Sequence, residues 1–316
     1  MNALHGIYAY PIPERITHGI DGCVLNAVSE DPAVYRAYPD KENVNFLVIR
    51  QGIVNDVLAY YPNVRWLQLL NAGFEKVALE VLRQRGICLT NARSVYCTTI
   101  AEDVIAKILL LARNYMRHFR DQEQHFWPDD EQLPNCNLDL SGRVLGILGA
   151  GAIGREIAVR ARVFGLIVRG YDPYIGSREG FEAIYQGADG LKRLLGESDF
   201  VITSLPVTPE TVDIINDTTL GYMKPTGYLI NVARGAIVDE DALVRALNSH
   251  RIAGAALDVT KTEPLDAGSP LWTAENLMIT PHRAAYGDQM QHKMCALIER
   301  NIHHWLRDEP LEDRIL

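Results

Sequence analysis

Apolar and polar positions alternate in short blocks along the first 90 residues. The apolar runs at 7–10, 24–28, 46–49, 66–70 and 87–90 predict strands, and segments such as 54–61 and 76–85 carry helical spacing between the last two pairs. Strands that alternate with helices imply a parallel sheet covered on both faces. A long helix follows. Thr99-Ile100-Ala101-Glu102 reads as a capping box that starts it, and Val104, Ile105, Ile108, Leu109, Ala112 and Met116 continue at helical intervals. Residues 127–139, with two prolines and many polar groups, predict a loop or linker. From Leu140 the alternation restarts more clearly, with strands expected at 144–148, 166–171, 200–205, 228–232, 253–259 and 277–280. This is the rhythm of a six-stranded, doubly wound nucleotide-binding domain. The sequence then runs through an amphipathic helix that puts Met290, Met294, Leu297, Ile298, Ile302, Trp305 and Leu306 on one face. No solenoid repeat and no low-complexity tract interrupts the pattern.

Composition narrows the partners. The chain has 316 residues, so two domains are the expectation, and 47% hydrophobic with 22% charged residues suits a packed globular protein. The net charge of −9 argues against nucleic acid, which needs a clustered positive surface, and against an anionic membrane surface. The most apolar stretch, at 104–112, contains Lys107 and is too short for a bilayer, which takes ~20 apolar residues. Five scattered cysteines without a CxxC argue against a disulfide framework and against a zinc site. They fit a reducing cytoplasm, and no secretory leader pattern opens the sequence. Any anionic ligand must therefore be caught by a few local cations or backbone amides.

Gly149-Ala150-Gly151-Ala152-Ile153-Gly154 is a GxGxxG between an apolar strand and a helix-forming run. The first glycine allows the tight turn, the second lets backbone approach a pyrophosphate, and the third lets helix pack on strand. The helix N-terminus adds partial positive charge. Asp172 stands eighteen residues after Gly154, at the end of the next strand. A carboxylate there accepts from ribose hydroxyls and repels a 2′-phosphate, so NAD is expected over NADP. Asp172 before Pro173 has a plainer reading as a turn residue, but strand, loop, helix, strand and acid together favour the nucleotide; Arg178 lies close enough in sequence to meet a phosphate.

Three further residues suit one reaction. Reduction of a 2-oxo acid needs a hydride on the ketone carbon, a proton on its oxygen and a cation for the carboxylate. Arg234 follows a predicted strand end, where open parallel sheets place their ligands, and its planar fork matches a carboxylate. His282 also follows a strand end and can exchange a proton near neutrality. Glu263 could accept from the second ring nitrogen, fix the tautomer and stabilise the imidazolium. Singly, each has a plainer reading: a solvated cation, one of nine histidines, a loop carboxylate. Their order on successive strand–helix units, downstream of the glycine loop, favours the joint one.

Further motifs accompany them: Ser204-Leu205-Pro206-Val207-Thr208-Pro209-Glu210-Thr211, Met223-Lys224-Pro225, Asn231-Val232-Ala233-Arg234-Gly235-Ala236-Ile237-Val238-Asp239-Glu240, Ala256-Leu257-Asp258-Val259, Glu263-Pro264-Leu265 and Thr280-Pro281-His282. With these the chain resembles the D-isomer-specific 2-hydroxyacid dehydrogenases almost end to end. The resemblance implies an α/β protein of two Rossmann-like domains, with the nucleotide-binding domain inserted into a flavodoxin-like substrate domain. Residues 1–98 and 287–316 would form the substrate domain and 99–286 the NAD-binding domain. Arg234 would bind substrate, His282 would be the acid/base and Glu263 its partner. The nucleotide would meet Gly149, Gly151, Ala152, Ile153, Gly154, Asp172, Leu205, Pro206, Val232, Ala233, Arg234, Asp258 and His282. Amides of the Asn71-Ala72-Gly73 loop would hold the substrate carboxylate, unless it is an ordinary strand–helix turn, and Arg50, at a strand end, would be a further substrate-binding residue. Tyr96 would narrow the pocket or offer its phenol, or simply pack.

The family resemblance also implies a small 2-oxo or 2-hydroxy acid as substrate, no metal, and a homodimer built on the nucleotide domain and the long helix. Hydroxypyruvate or glyoxylate reduction and 3-phosphoglycerate oxidation are the alternatives, the last because Arg50, Lys76 and Arg93 could bind a phosphate. Formate oxidation is disfavoured because Glu263 is present. A reading of another class is an NAD-sensing scaffold resembling the corepressors built on this fold. Two segments depart from the family's usual pattern: Arg283-Ala284-Ala285-Tyr286, where glycines are usual, and Thr260-Lys261-Thr262, where an aromatic and acidic residues are common.

Overall fold

A computed structural model describes residues 4–129 and 137–316. Seven residues of the expected 127–139 linker, 130–136, and with them Cys136, lie outside the described residues. The chain divides into two compact units: one runs to Tyr96 and resumes over Gly287–Leu316, and the other is Cys97–Tyr286.

The first unit holds five parallel strands: β1 (Leu4–Tyr8), β2 (Cys23–Ala27), β3 (Phe46–Ile49), β4 (Trp66–Leu69) and β5 (Cys88–Thr90). Their order, β2-β1-β3-β4-β5, is the flavodoxin-like doubly wound arrangement. β3 and β4 are buried along their whole length; β3 reads as an unbroken apolar run, and in β4 only Gln68 is polar. On one face, Ile7, Leu47, Ile49, Leu67 and Leu89 pack with Tyr35, Val54, Val57 and Tyr61. On the other, Trp66 lies stacked between Phe46 (centroids 4.9 Å) and Trp305 (5.6 Å). The helix Met290–Leu306 covers this face: Met294, Leu297, Ile298 and Ile302 are buried, with Met290, Trp305 and Leu306 packed beside them. A polar link fixes its register. Buried Asn301 donates to Gln68 Oε1 (2.9 Å), which also accepts from Thr90 Oγ1 (2.8 Å), and Trp66 Nε1 donates to Thr90 Oγ1 (2.8 Å).

Residues 312–316 return to the same unit. Thr90 and Arg314 form an antiparallel bridge and Ile315 N donates to Leu89 O (2.7 Å), so the β5 edge is covered. This segment also corrects the expected start of the long helix, which runs Arg93–Ala112. Thr99 and Glu102 lie inside it and cap nothing. Instead, Asp313 accepts from Ser94 N (2.9 Å) and Ser94 Oγ (2.6 Å). An acid at the first turn satisfies orphan amides and the helix dipole, and this one comes from 219 residues away, where no local signature can reveal it. The helix also stops before Met116: Asn114 adopts φ 55° and a separate helix, Tyr115–Glu123, begins.

The second unit holds seven parallel strands: β6 (Val144–Leu148), β7 (Ile167–Tyr171), β8 (Ala183–Tyr185), β9 (Phe200–Thr203), β10 (Tyr228–Asn231), β11 (Gly254–Leu257) and β12 (Leu277–Ile279). The order β12-β11-β10-β9-β6-β7-β8 is the dinucleotide-binding winding with β12 added, and its direction reverses between β6 and β9. Six strands were expected and the seventh, β8, was not. It is three half-buried residues at the sheet edge, too short for a period to register. Leu148, Val201, Leu229, Ala255 and Leu257 of the sheet pack with Leu194, Leu195, Leu243 and Leu247 of the helices Gly187–Glu197 and Glu240–Asn248. Among the described residues no helix is long and apolar enough to cross a membrane, and no group of three or more His, Cys, Asp or Glu could hold a metal ion.

Candidate active site

The glycine loop sits at the carboxyl end of β6, beside the reversal of strand order. Gly149 adopts φ +102°, a region closed to most side chains, and a Cβ there would meet Ser204 backbone at 2.9 Å. A Cβ on Gly154 would strike Gly149 O at 2.1 Å, whereas one on Gly151 would meet nothing within 4 Å. The three positions therefore give a turn, an open approach and a close packing, which fits a pyrophosphate laid against Gly151. The helix Ala152–Val163 begins directly after it, with Ile153 in its first turn. Leu205, Val232 and Ala233 are buried at the ends of β9 and β10, while Pro206 is exposed.

Asp172, at the end of β7, is only 7% exposed. Its Oδ2 accepts from Ala150 N (3.0 Å), and its Oδ1 from Tyr174 N (2.9 Å) and Ile175 N (3.0 Å). The carboxylate thus ties the glycine loop to the turn after β7.

Arg234 follows β10. Asn231, whose importance the sequence reading missed, builds the turn that carries it: Asn231 Oδ1 accepts from Ala233 N (3.0 Å) and Thr203 Oγ1 (2.6 Å), and Nδ2 donates to Arg234 O (2.9 Å). Arg234 Nη1 donates to Ala233 O (2.7 Å). The next residue, Gly235, approaches Thr260 so closely that a Cβ would lie 2.0 Å from its carbonyl carbon. The segment bearing Arg234 is thereby seated against the loop bearing Glu263.

His282 follows β12 in a left-handed conformation, φ 54°. Its Nδ1 is 2.8 Å from Glu263 Oε2, and Glu263 Oε1 accepts from Thr260 N (3.2 Å). Both side chains are partly open to solvent. Among the described residues no protein group hydrogen-bonds His282 Nε2. With Nδ1–H directed at the carboxylate, Nε2 is the position that can exchange a proton with a ligand.

Asp258, expected as a cofactor contact, has a further task. It is 2% exposed. Its Oδ1 accepts from Thr280 Oγ1 (2.6 Å) and Arg283 N (2.9 Å), and its Oδ2 from Ala284 N (2.9 Å). His282 N donates to its backbone carbonyl (2.7 Å). One residue thus fixes three consecutive amides of the histidine loop.

The residues expected from the first unit lie at the carboxyl ends of β3, β4 and β5. Arg50 Nε pairs with Glu30 at 2.7 Å, and Glu30 lines a pocket with Tyr8, Tyr10 and Val28. Asn71 Oδ1 accepts from Gln51 N (3.0 Å), Ala72 O accepts from Asn91 Nδ2 (2.5 Å), and Gly73 is half-buried. The Tyr96 phenol donates to Leu70 O (2.6 Å) and its ring packs against the first unit's core.

Comparison with known proteins supplies the context. Residues 105–284 match the family model described as D-isomer specific 2-hydroxyacid dehydrogenase, NAD binding domain. A glyoxylate reductase of Korarchaeum cryptofilum is 34% identical over 257 residues, covering 80% of this chain and 76% of that protein. A D-3-phosphoglycerate dehydrogenase of Methanocaldococcus jannaschii is 30% identical over 274 residues, 86% of this chain; the match spans about half, 52%, of that longer protein. Among solved structures, a D-isomer specific 2-hydroxyacid dehydrogenase from Xanthobacter autotrophicus in complex with NADPH and MES superposes with a TM-score of 0.82 at 27% identity, covering 100% of this chain and 98% of that one.

Proposed function

Since the chain belongs to the D-isomer specific 2-hydroxyacid dehydrogenase family, oxidoreductases that act on the CH–OH group of 2-hydroxy acids, we propose that it interconverts a small 2-oxo acid and its D-2-hydroxy acid. The observation that carries this reading is the His282–Glu263 pair, with Nδ1 held at 2.8 Å, in the unit that bears the glycine loop. A nicotinamide dinucleotide bound on that loop supplies or accepts the hydride at the substrate's C2. His282 gives the carbonyl oxygen its proton through Nε2 and takes it back in the reverse direction. Glu263 keeps the proton-bearing nitrogen turned to itself and stabilises the imidazolium. Arg234 holds the substrate carboxylate through its planar fork.

The cofactor is a nicotinamide dinucleotide, and we assign a preference for NAD on the negative charge fixed at Asp172. The NADPH bound by the Xanthobacter relative makes a direct comparison of the two cofactors necessary. Glyoxylate, the substrate in the name of the Korarchaeum relative, is the first to try, with hydroxypyruvate beside it. Exposed Tyr115, Phe119, Phe126 and Trp127 in and after the helix Tyr115–Glu123 support a homodimer, because exposed aromatic clusters mark contact surfaces. A cytoplasmic location rests on the described cysteines, all free thiols.

The test is NADH and NADPH oxidation with a panel of 2-oxo acids. Wild type should turn over, and His282→Ala should lower kcat at least ~100-fold, the usual scale of general acid–base catalysis, with NADH affinity within a few-fold. Undiminished turnover in that variant would sink the assignment.

A further inference from the structure

The loop that brings Glu263 to His282 begins with Thr260-Lys261-Thr262, one of the two segments where the chain departs from its family's usual pattern. Thr260 is buried. Its amide donates to Glu263 Oε1 (3.2 Å), which leaves Oε2 for His282 Nδ1 (2.8 Å), and its hydroxyl donates to Thr262 O (2.8 Å). The aim of the carboxylate therefore follows the placement of the Thr260–Lys261 peptide. That peptide is held by three neighbours. A Cβ on Gly235 would lie 2.0 Å from the Thr260 carbonyl carbon and 2.3 Å from Lys261 N, so glycine is what lets the two segments approach. Lys261 N donates to Glu240 Oε1 (2.5 Å), in the first turn of the helix Glu240–Asn248. The Lys261 ammonium pairs with Asp213 Oδ1 at 2.7 Å. Asp213 is itself tied to the segment after Arg234, because its amide donates to Ala236 O (2.8 Å).

All of these contacts lie within the second unit. Burial pulls the pKa of the Lys261 ammonium down, but the hydrogen bond and charge of Asp213, with the charges of Asp239 and Glu240, outweigh this and raise it, so the residue stays a cation. The side chains of the ion pair are 37% and 42% exposed, and pairs this open to solvent add little to stability. Lys261 is thus immobilised at both its amide and its ammonium, at small gain in stability, next to the amide that orients Glu263. We propose that Lys261 is a positioning residue of the reaction: bound to Glu240 and Asp213, it fixes the Thr260–Lys261 peptide and so keeps the Glu263 carboxylate on His282 Nδ1. The inference rests on the 2-oxo acid reductase reading above and deepens it. Lys261 acts through Glu263, and that route is what the test isolates.

The measurement is kcat, KM, NADH affinity and melting temperature for Lys261→Met, made alone and in a Glu263→Gln background. Alone it should lower kcat about tenfold or more, since a misplacement of ~1 Å near the chemistry can cost ~100-fold. KM and NADH affinity should stay within a few-fold, and the melting temperature should hardly move. Lys261→Arg, which keeps the charge, should recover most of the loss. In the Glu263→Gln background the same Lys261→Met change should alter the residual kcat by less than about twofold, because two changes on one route do not add. Asp213→Asn removes the charge at the other end of the pair in a residue type that tolerates its φ of 50°. It should reproduce part of the loss, with the same dependence on Glu263, and serves if the methionine variant fails to fold. An unchanged kcat in both Lys261→Met and Asp213→Asn overturns the proposal and leaves the reductase intact. So does a loss of equal fold in the two backgrounds, which would mark a general structural role. Absence of turnover with every 2-oxo acid in the wild type overturns the reductase reading itself, and this one with it.

Discussion

Two carboxylates present one imidazole, and they divide the task. Glu263 meets the ring and sets which nitrogen bears the proton. Asp258 meets the backbone and sets where the ring stands, holding a loop whose histidine adopts φ 54°. Positive φ in a residue with a Cβ costs about 1–3 kcal/mol and persists only where its surroundings enforce it. The two carboxylates should therefore fail differently. Glu263→Gln, nearly isosteric, should leave the melting temperature almost unchanged and lower kcat by ~100-fold or more, read in steady-state assays alongside thermal melts. Asp258→Asn puts an amide N–H where a backbone N–H or the Thr280 hydroxyl needs an acceptor. It should lower stability by about 1.5–3 kcal/mol, visible as a lower melting temperature, together with a loss of activity. Sequence made the first carboxylate legible and the clamp illegible, for a physical reason. A histidine and a glutamate announce proton chemistry by type, whereas the partners of Asp258 are mostly backbone amides, which leave no trace in residue identity. Asn231 escaped notice in the same way.

Elements were legible in proportion to their burial. The strands β3, β4, β6 and β9–β11 are lined on both faces and appear as mainly apolar runs. β8 is an edge strand of three residues held by side chains instead. Glu197, at the end of the helix Gly187–Glu197, accepts from Arg169 Nη1 of β7 (2.5 Å), Tyr185 Oη of β8 (2.9 Å) and Arg193 Nε (2.8 Å). Burial pushes its carboxyl up, but the hydrogen bonds from Arg193, Tyr185 and Arg169 outweigh this and hold it down at about 2. A carboxyl lower in the folded than in the unfolded state stabilises above its ordinary value of 4.5, and that contribution disappears as pH falls from there toward 2. Melting curves of wild type should thus converge on those of Glu197→Gln over this window, with the gap largest near neutrality. The start of the helix Arg93–Ala112 makes a complementary point. A capping box within it fits the pattern of residues, but the acid that actually caps it arrives from the far side of the sequence. Asp313→Ala should destabilise by ~1 kcal/mol, the usual cost of a lost cap, and should speed hydrogen exchange at the amides of Ser94 and Val95.

At the level of the whole molecule, the strand–helix rhythm identified a doubly wound α/β protein, whereas periodicity carries no information on the order of strands or on the discontinuity of one unit. The first unit is assembled from segments on both sides of the second. Removing residues 290–316 should therefore leave the Phe46–Trp66 face of its sheet bare. Hydrogen exchange should then show β1–β5 unprotected while β6, β9 and β10 retain slow amides; equal loss in both sheets would show that the units do not fold separately.

That discontinuity has a temporal side. The ribosome delivers residues 97–286 as one stretch, so the second unit has all its strands before the first has its covering helix. Roughly 190 residues separate Tyr96 from the start of the helix Met290–Leu306, which at ~5–20 residues per second is on the order of 10–40 s. Throughout that interval the face of Phe46, Trp66 and Leu70 waits without Trp305 and Ile302. The nascent chain is most exposed to aggregation and to chaperone capture through the part made first, and slowing synthesis within the second unit should lengthen that exposure.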